Sequence, residues 1–410
     1  LTELSAAKVE QTTNVHAFKC ILDAYPLELR LVLACLSRSR SSLALVAQDQ
    51  PTPNWADFLR WVERQRVGPR IYSSISNLPE SFFPAEVLRE LRARHRRNSL
   101  AALGLASETV RVIRLLQSEG IAVMALKGPA LAQQLFGDPA SRSAGDMDLL
   151  VSLDDVPRAD RILRAAGLKR LQPGFDLSPG QQARYFQLKY DYEYEKPHTG
   201  LMVELHWRLD RTLGMLPLSF EDLAPRASMV PLGGQDVPCL SFNDQAVFLL
   251  VHGARHGWSK LFHLCDIGQM LHLRPNQDTW TEILGQARRL GVARPAAQGL
   301  ILAHLLLQTT LPDAAREYAA GDRTVDYLVK TALRRVALPR DYPLPLSRFL
   351  QWEILYHFML RRGWREKIET MRAIFINPDD WAQVPLPDSL FPLYYFLRPV
   401  LYLQRRLKIK

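Results

Sequence analysis

Apolar and polar positions along the 410 residues fall into three regimes. Up to residue 120 the apolar positions recur near every 3.6 residues, which predicts helices over His16–Leu36, Trp55–Val67 and Pro84–Glu119. Asn54, closing the Pro51–Asn54 loop, is suited to cap the second of these. From residue 121 the period changes. Ile121–Leu126 is an apolar, strand-compatible run, Ala130–Phe136 a short helix, and Gly145–Val151 a strand in which acidic and apolar residues alternate. Ser152–Asp155 caps a helix that runs through Ala166 and stops at Gly167. Gln187–Glu195 alternates as a half-buried strand, Lys196–Gly200 turns the chain, and Leu201–Trp207 returns it. Leu213–Pro238, bearing Pro and Gly, reads as irregular, a linker or flap. From Ser241 the helical period resumes. Asn243 or Asp244 caps Gln245–Ala254, and Leu261–Leu273, Thr279–Leu290, Ala296–Thr310, Asp322–Val336 and Arg348–Ile374 follow. The expected architecture is α+β: a small mixed sheet over residues 121–240 between an N-terminal helical region, 1–120, and a C-terminal helical domain, 241–410.

Composition adds bounds. With 47% hydrophobic and 23% charged residues, the chain can bury a sizeable core. The four cysteines, Cys20, Cys35, Cys239 and Cys265, form no CxxC pair, so neither a disulfide framework nor a zinc site is expected and a cytoplasmic setting fits best. The N-terminus has no basic segment leading into an apolar stretch, so no signal peptide is read there. No apolar run reaches the roughly 18 residues that span a membrane. The net charge of +10 suits phosphate-bearing ligands, but no nucleic-acid motif accompanies it, so nucleic acid is not the favoured partner. Arg89–Arg97 reads as the solvated face of a long helix. The basic tail Tyr402–Lys410 lacks a second anchoring signal beside it, so membrane-surface contact there is not favoured.

The chemistry gathers in Leu126–Val151. In a strand, alternate side chains share a face, so Asp146 and Asp148 point one way while Met147 and Leu149 point into a core. Two carboxylates that close repel one another unless a cation lies between them, and a hard divalent ion such as Mg²⁺, or Mn²⁺ in its place, takes such oxygen ligands together with substrate phosphates. Upstream, Lys127-Gly128-Pro129 opens a helix: Gly128 allows close backbone approach, Lys127 adds charge, and a helix N-terminus favours anions. Arg142 and Ser143 offer further phosphate contacts. A two-ion site wants a third carboxylate. Glu204, sharing a strand face with Met202 and His206, is the first choice; Asp191 and Glu193 on the preceding strand are rivals. His206, Arg255, His256 and Asp266 are candidates for contact with the base or the acceptor, and Arg255, His256 and Asp266 are expected to form one polar helix–helix junction.

Taken together, LKGPAL, GDMDLLV, VELHW and HGARHGW followed by Asp266 resemble the bacterial "uncharacterised nucleotidyltransferase" family of the DNA polymerase β-like superfamily. The resemblance implies a polymerase β-like core and transfer of an NMP group from an NTP to an unidentified acceptor, with pyrophosphate released. It leans toward a small-molecule, sugar or peptide acceptor. Pro129 departs from the usual Ser or Gly of the phosphate turn. Two other readings stand beside this one: a nucleotide-binding scaffold without turnover, and an RNA- or protein-directed nucleotidyl modifier.

Overall fold

The computed structural model describes residue 23, residues 25–37, 52–76, 82–143, 145–210, 215–338 and most of 354–401. The tail from 402 and most of the Arg348–Ile374 stretch lie outside the described residues, as does the start of the His16–Leu36 stretch.

Among the described residues four helices come first: α1 (Leu27–Leu36), α2 (Trp55–Arg64), α3 (Gly68–Ile75) and the 34-residue α4 (Ala85–Ser118). Asn54 caps α2 as its sequence position predicts, accepting from the N–H groups of Ala56 and Asp57. A seven-stranded mixed sheet follows. It is built from β1 (Val123–Ala125), β2 (Asp146–Val151), β3 (Lys169–Gln172), β4 (Asp191–Lys196), β5 (Leu201–His206), β6 (Ser228–Leu232) and β7 (Gln235–Cys239) in the order β3-β4-β5-β2-β1-β7-β6. Between strands lie α5 (Gly128–Phe136), α6 (Val156–Ala165) and α7 (Pro179–Leu188). Beyond the sheet run α8 (Phe242–Arg255), α9 (Leu261–Leu273), α10 (Gln277–Arg289), α11 (Ala293–Leu307) and α12 (Thr324–Val336), among others. The α+β class with helical flanks is therefore what the chain adopts.

Two segments fold otherwise than their patterns suggest. The alternation from Gln187 begins inside α7, because Ser178 and Gln181 make a reciprocal capping box that starts a helix and carries it to Leu188; the strand begins only at Asp191. Leu213–Pro238 is not a linker over its described part. Gly233 and Gly234, both at positive φ, make a two-residue turn that pairs β6 with β7 and closes one edge of the sheet. The cap of α8 is Ser241, two to three residues ahead of the expected Asn243 or Asp244; its hydroxyl accepts from the Asp244 N–H.

The sheet has two different faces. Met147, Leu149 and Val151 of β2, with Val203, Leu205, Tyr192 and Tyr194 from its neighbours, bury against α4 and α6. On the opposite face Met124, Leu126 and Leu150 join a larger cluster. That cluster holds the first helices and the last ones together: Tyr25 and Phe58 belong to it along with Leu250, Trp258 and Leu333. Polar contacts tie the same parts. The buried Gln65, just after α2, donates to the Val336 carbonyl at 3.2 Å and accepts from the Leu261 N–H at 2.8 Å. Lys260 donates to the Arg64 carbonyl at 2.7 Å. No helix among the described residues is long and apolar enough to cross a membrane.

At Gly128 two elements approach backbone to backbone. Its φ is +67°, and a Cβ there would meet the Asp146 carbonyl oxygen at 2.9 Å. Gly128→Ala should therefore destabilise the fold by more than the roughly 1–2 kcal/mol that a left-handed backbone alone costs. Urea denaturation with unchanged m-value would measure it, and a variant as stable as the parent would disprove the close approach.

Candidate active site

The register of the sheet assembles the acidic residues. β2 and β5 run parallel with Asp146 beside Met202, Asp148 beside Glu204 and Leu150 beside His206. β4 and β5 run antiparallel, which sets Asp191 beside His206 and Glu193 beside Glu204. All the acids among these stand on the face opposite Met147 and Leu149.

Asp148 is the floor of the site, 1% exposed. Its Oδ1 meets Lys127 Nζ at 2.7 Å and His206 Nε2 at 3.3 Å. The same His206 nitrogen reaches Glu204 Oε2 at 3.2 Å. Burial alone would raise the Asp148 pKa, but the Lys127 charge and His206 outweigh it and hold the carboxyl below the usual range. Burial likewise opposes charge on His206, yet its hydrogen bonds to Asp148 and Glu204 carry its pKa up to about 9. Asp146 moves the other way: burial and the nearby Asp148 raise it. Asp191 is also raised, mainly by burial.

Asp148, Glu204 and His206 present ligand atoms within 4.8 Å of one another. Asp148 Oδ2 is buried and has no hydrogen-bond partner in the protein. An ionised oxygen in that state is costly unless a cation or a donor meets it, so this donor set fits a divalent ion. Glu204, half-buried, and Asp146 stand nearer solvent and give the site its mouth. The sequence marks Glu204 as first choice for the third carboxylate, with His206 on the same face; what it does not reveal is that His206 inserts between the acids.

The remaining sequence candidates lie around this cluster. Arg142 does not stand open to solvent. It is 7% exposed, and its Nε bonds both Asp266 oxygens at 3.1 and 3.0 Å while its guanidinium lies 5.0 Å from the Phe262 ring. Ser143 turns its carbonyl to Arg66. The expected junction of Arg255, His256 and Asp266 does not form: Asp266, on α9, faces the loop before β2 and holds Arg142. Arg255, near the end of α8, lies 3.9 Å from Asp210 and 5.2 Å from the Tyr190 ring. Its Nη2 approaches His252 Nδ1 and His256 Nε2, each at 3.4 Å, so both nitrogens act as acceptors there. His263 completes an imidazole group, 5.3 Å from His252 and 5.5 Å from His256 between ring centres. Sequence reasoning missed Arg66, Tyr190 and His263; none falls in a recognisable motif. Within HGARHGW, Gly253 has a packing reason, since a Cβ there would clash with the Trp258 ring.

A family model described as "Uncharacterised nucleotidyltransferase" matches residues 51–308. The chain belongs to that family. The matched span runs from α2 to α11 and so takes in every residue of the site. A solved structure similar to this family member is that of an antigenic nucleotidyltransferase-like protein from Paracoccidioides brasiliensis, at 16% identity and TM-score 0.26, covering 45% of this chain and 88% of that one. No curated protein matches the chain.

Two outcomes follow for this family member. Arg142→Met leaves the Asp266 carboxylate buried without its partner, which should cost about 3–5 kcal/mol, whereas Arg142→Met/Asp266→Leu should recover much of that loss; chemical denaturation of the pair and its single variants would measure it. His252 and His263 are held neutral, their pKa values well below 6.5 through burial and, next, through Lys127 for His252 and His256 for His263. Their unfolded forms take up protons first, so the stability they contribute is present above pH about 6.5 and lost below it, near 1.4 kcal/mol per pH unit for each ring. Melting curves from neutral to mildly acidic pH should steepen this way in the parent and flatten in His263→Gln.

Proposed function

We propose that the protein is a metal-dependent nucleotidyltransferase that moves an NMP group from an NTP to a hydroxyl or phosphate acceptor and releases pyrophosphate. The observation that carries this reading is the buried Asp148–Glu204–His206 group with its partnerless Asp148 oxygen, in a chain of a nucleotidyltransferase family. Asp148 and Glu204, and His206 once its Nε2 proton is displaced, would hold a divalent ion, Mg²⁺ or Mn²⁺, with Asp146 beside them. Such an ion supplies charge stabilisation for the oxygens entering and leaving phosphorus.

The protein's own groups do the rest. Lys127 keeps Asp148 ionised through their ion pair and offers positive charge where the turn opens α5. Arg255 and His256, across from the acids, present N–H and imidazole groups suited to phosphate oxygens. The acceptor oxygen bonds to the α-phosphorus, the bond from that phosphorus to the α–β bridging oxygen breaks, and pyrophosphate departs with the electron pair. A hydroxyl acceptor gives its proton to Asp146, the mouth carboxylate with raised proton affinity; an ionised phosphate acceptor needs no such transfer. The helical parts before residue 121 and after 240 would wall the acceptor side.

One observation favours a second reading. The Lys127 ammonium already meets Asp148 at 2.7 Å, as a cation would, which is what a nucleotide-binding scaffold without turnover would keep. Calorimetry of each NTP with and without Mg²⁺ or Mn²⁺, on the parent and on Asp148→Asn, separates the two. Transfer chemistry requires metal-dependent NTP binding that weakens at least tenfold in Asp148→Asn, together with pyrophosphate release in an acceptor screen. NTP binding indifferent to metal and to the substitution would leave only the scaffold.

A further inference from the structure

A cavity of about 350 Å³ opens between the end of α2, the start of α3 and the side of α4, lined by Arg66, Arg94, His95, Arg97, Asn98 and Ser143 among others. The charged helix stretch Arg89–Arg97, which reads in sequence as a solvated face, thus turns part of its charge inward. Two carboxylates share the lining, Glu63 and Glu90, and Arg94 engages both, at 3.2 and 2.6 Å. Arg97 reaches Glu90 only at 3.6 Å, and Arg66 has no carboxylate within ion-pair distance among the described residues, Asp146 and Asp266 acting on it from farther off. The cavity therefore carries surplus positive charge.

Arg66 sits at the junction of this cavity with the acidic site. Its Nη2 approaches the Ser143 carbonyl oxygen at 3.4 Å, three residues before Asp146, and its guanidinium lies 4.9 Å from the Phe262 ring that Arg142 also faces. Asp266 pairs directly with Arg142 and, with Asp146, attracts Arg66 only from beyond ion-pair distance. The backbone of Arg66 is unusual as well. It ends α2 in a Schellman arrangement, with Arg66 N–H donating to the Glu63 carbonyl at 2.9 Å and Val67 N–H to the Val62 carbonyl at 3.1 Å. That position calls for a left-handed residue, normally glycine, and Arg66 adopts φ +55° there. A side chain that costs strain and closes no direct ion pair, though it stands within the field of Asp146 and Asp266, has a guanidinium placed to meet a ligand.

We propose that this cavity is the acceptor pocket and that it takes a small phosphomonoester, its phosphate held by Arg66 with Arg97 and His95 beside it. The assignment rests on the nucleotidyl-transfer reading above and names its acceptor class. Guanidinium groups approaching from two helices match the several oxygens of a phosphate better than the two of a carboxylate. The volume suits a molecule of about monosaccharide size and is at the low end for small-molecule pockets, roughly 300–1,000 Å³. It does not suit a polymer.

The test is calorimetric titration of inorganic phosphate and of glycerol 3-phosphate into the full chain and two variants, beside their melting temperatures and metal-dependent NTP binding. Arg66→Gly restores the residue that the turn prefers, so it should melt no lower than the parent while binding both probes at least tenfold more weakly. Arg97→Gln, at a side chain 67% exposed, should weaken them several-fold with no change in melting. NTP binding should be unaffected in both. Probe binding that is absent in the parent, unchanged in Arg66→Gly, or displaced by NTP with metal would overturn the assignment. If the probes bind through Arg66 but no NTP binds, nucleotidyl transfer fails and the phosphate pocket stands.

Discussion

Keeping one negative charge inside the protein is the constraint on which the site depends. Asp148 is nearly inaccessible to water, and a carboxylate in that position must be compensated or it will take a proton. Lys127 reaches it from the end of β1, and His206 from the end of β5. Both contacts require β1, β2 and β5 to lie side by side, and Gly128 to bring the turn after β1 against the Asp146 backbone. Strand order and local backbone therefore serve the same end.

Outside this floor the charges divide by surface. The sheet face carries Asp146, Glu204 and Asp191, while α8, α9 and the loop before β2 bring Arg255, three imidazoles and Arg142. A ligand bearing phosphates and a metal fits between such surfaces because it carries both signs. Phe262 is the common apolar support, with the Arg66 and Arg142 guanidinium groups near its ring. Helices from both ends of the chain meet here through one hydrophobic cluster and through Gln65, so the N-terminal helices are part of the site's scaffold.

Much of the core was legible in the sequence because a strand's period is two and has no ambiguity of face. Asp146 and Asp148 opposite Met147 and Leu149, and Glu204 with His206 opposite Val203 and Leu205, follow from alternation alone. The Asn54 cap and the long α4 follow from local signals too. Where the reading slipped, a local signal was outweighed: the Ser178–Gln181 capping box overrode apparent alternation at Gln187, and the Gly233-Gly234 turn made strands of a stretch rich in Pro and Gly.

By itself the sequence determined which residues share a face, where the acidic strand lies, and that nucleotidyl-transfer chemistry is the one its motifs resemble. Only the tertiary structure decided which strands are neighbours, and so that Asp148 stands beside Glu204 while His206 slips between them. It alone joined Arg142 to Asp266 across 124 residues, separated Asp266 from Arg255, and carried Arg66 to the edge of the acidic site. The reason is physical: periodicity and capping act over a few residues, whereas the pairing of buried charges is chosen by the packing of distant elements, which no local pattern encodes.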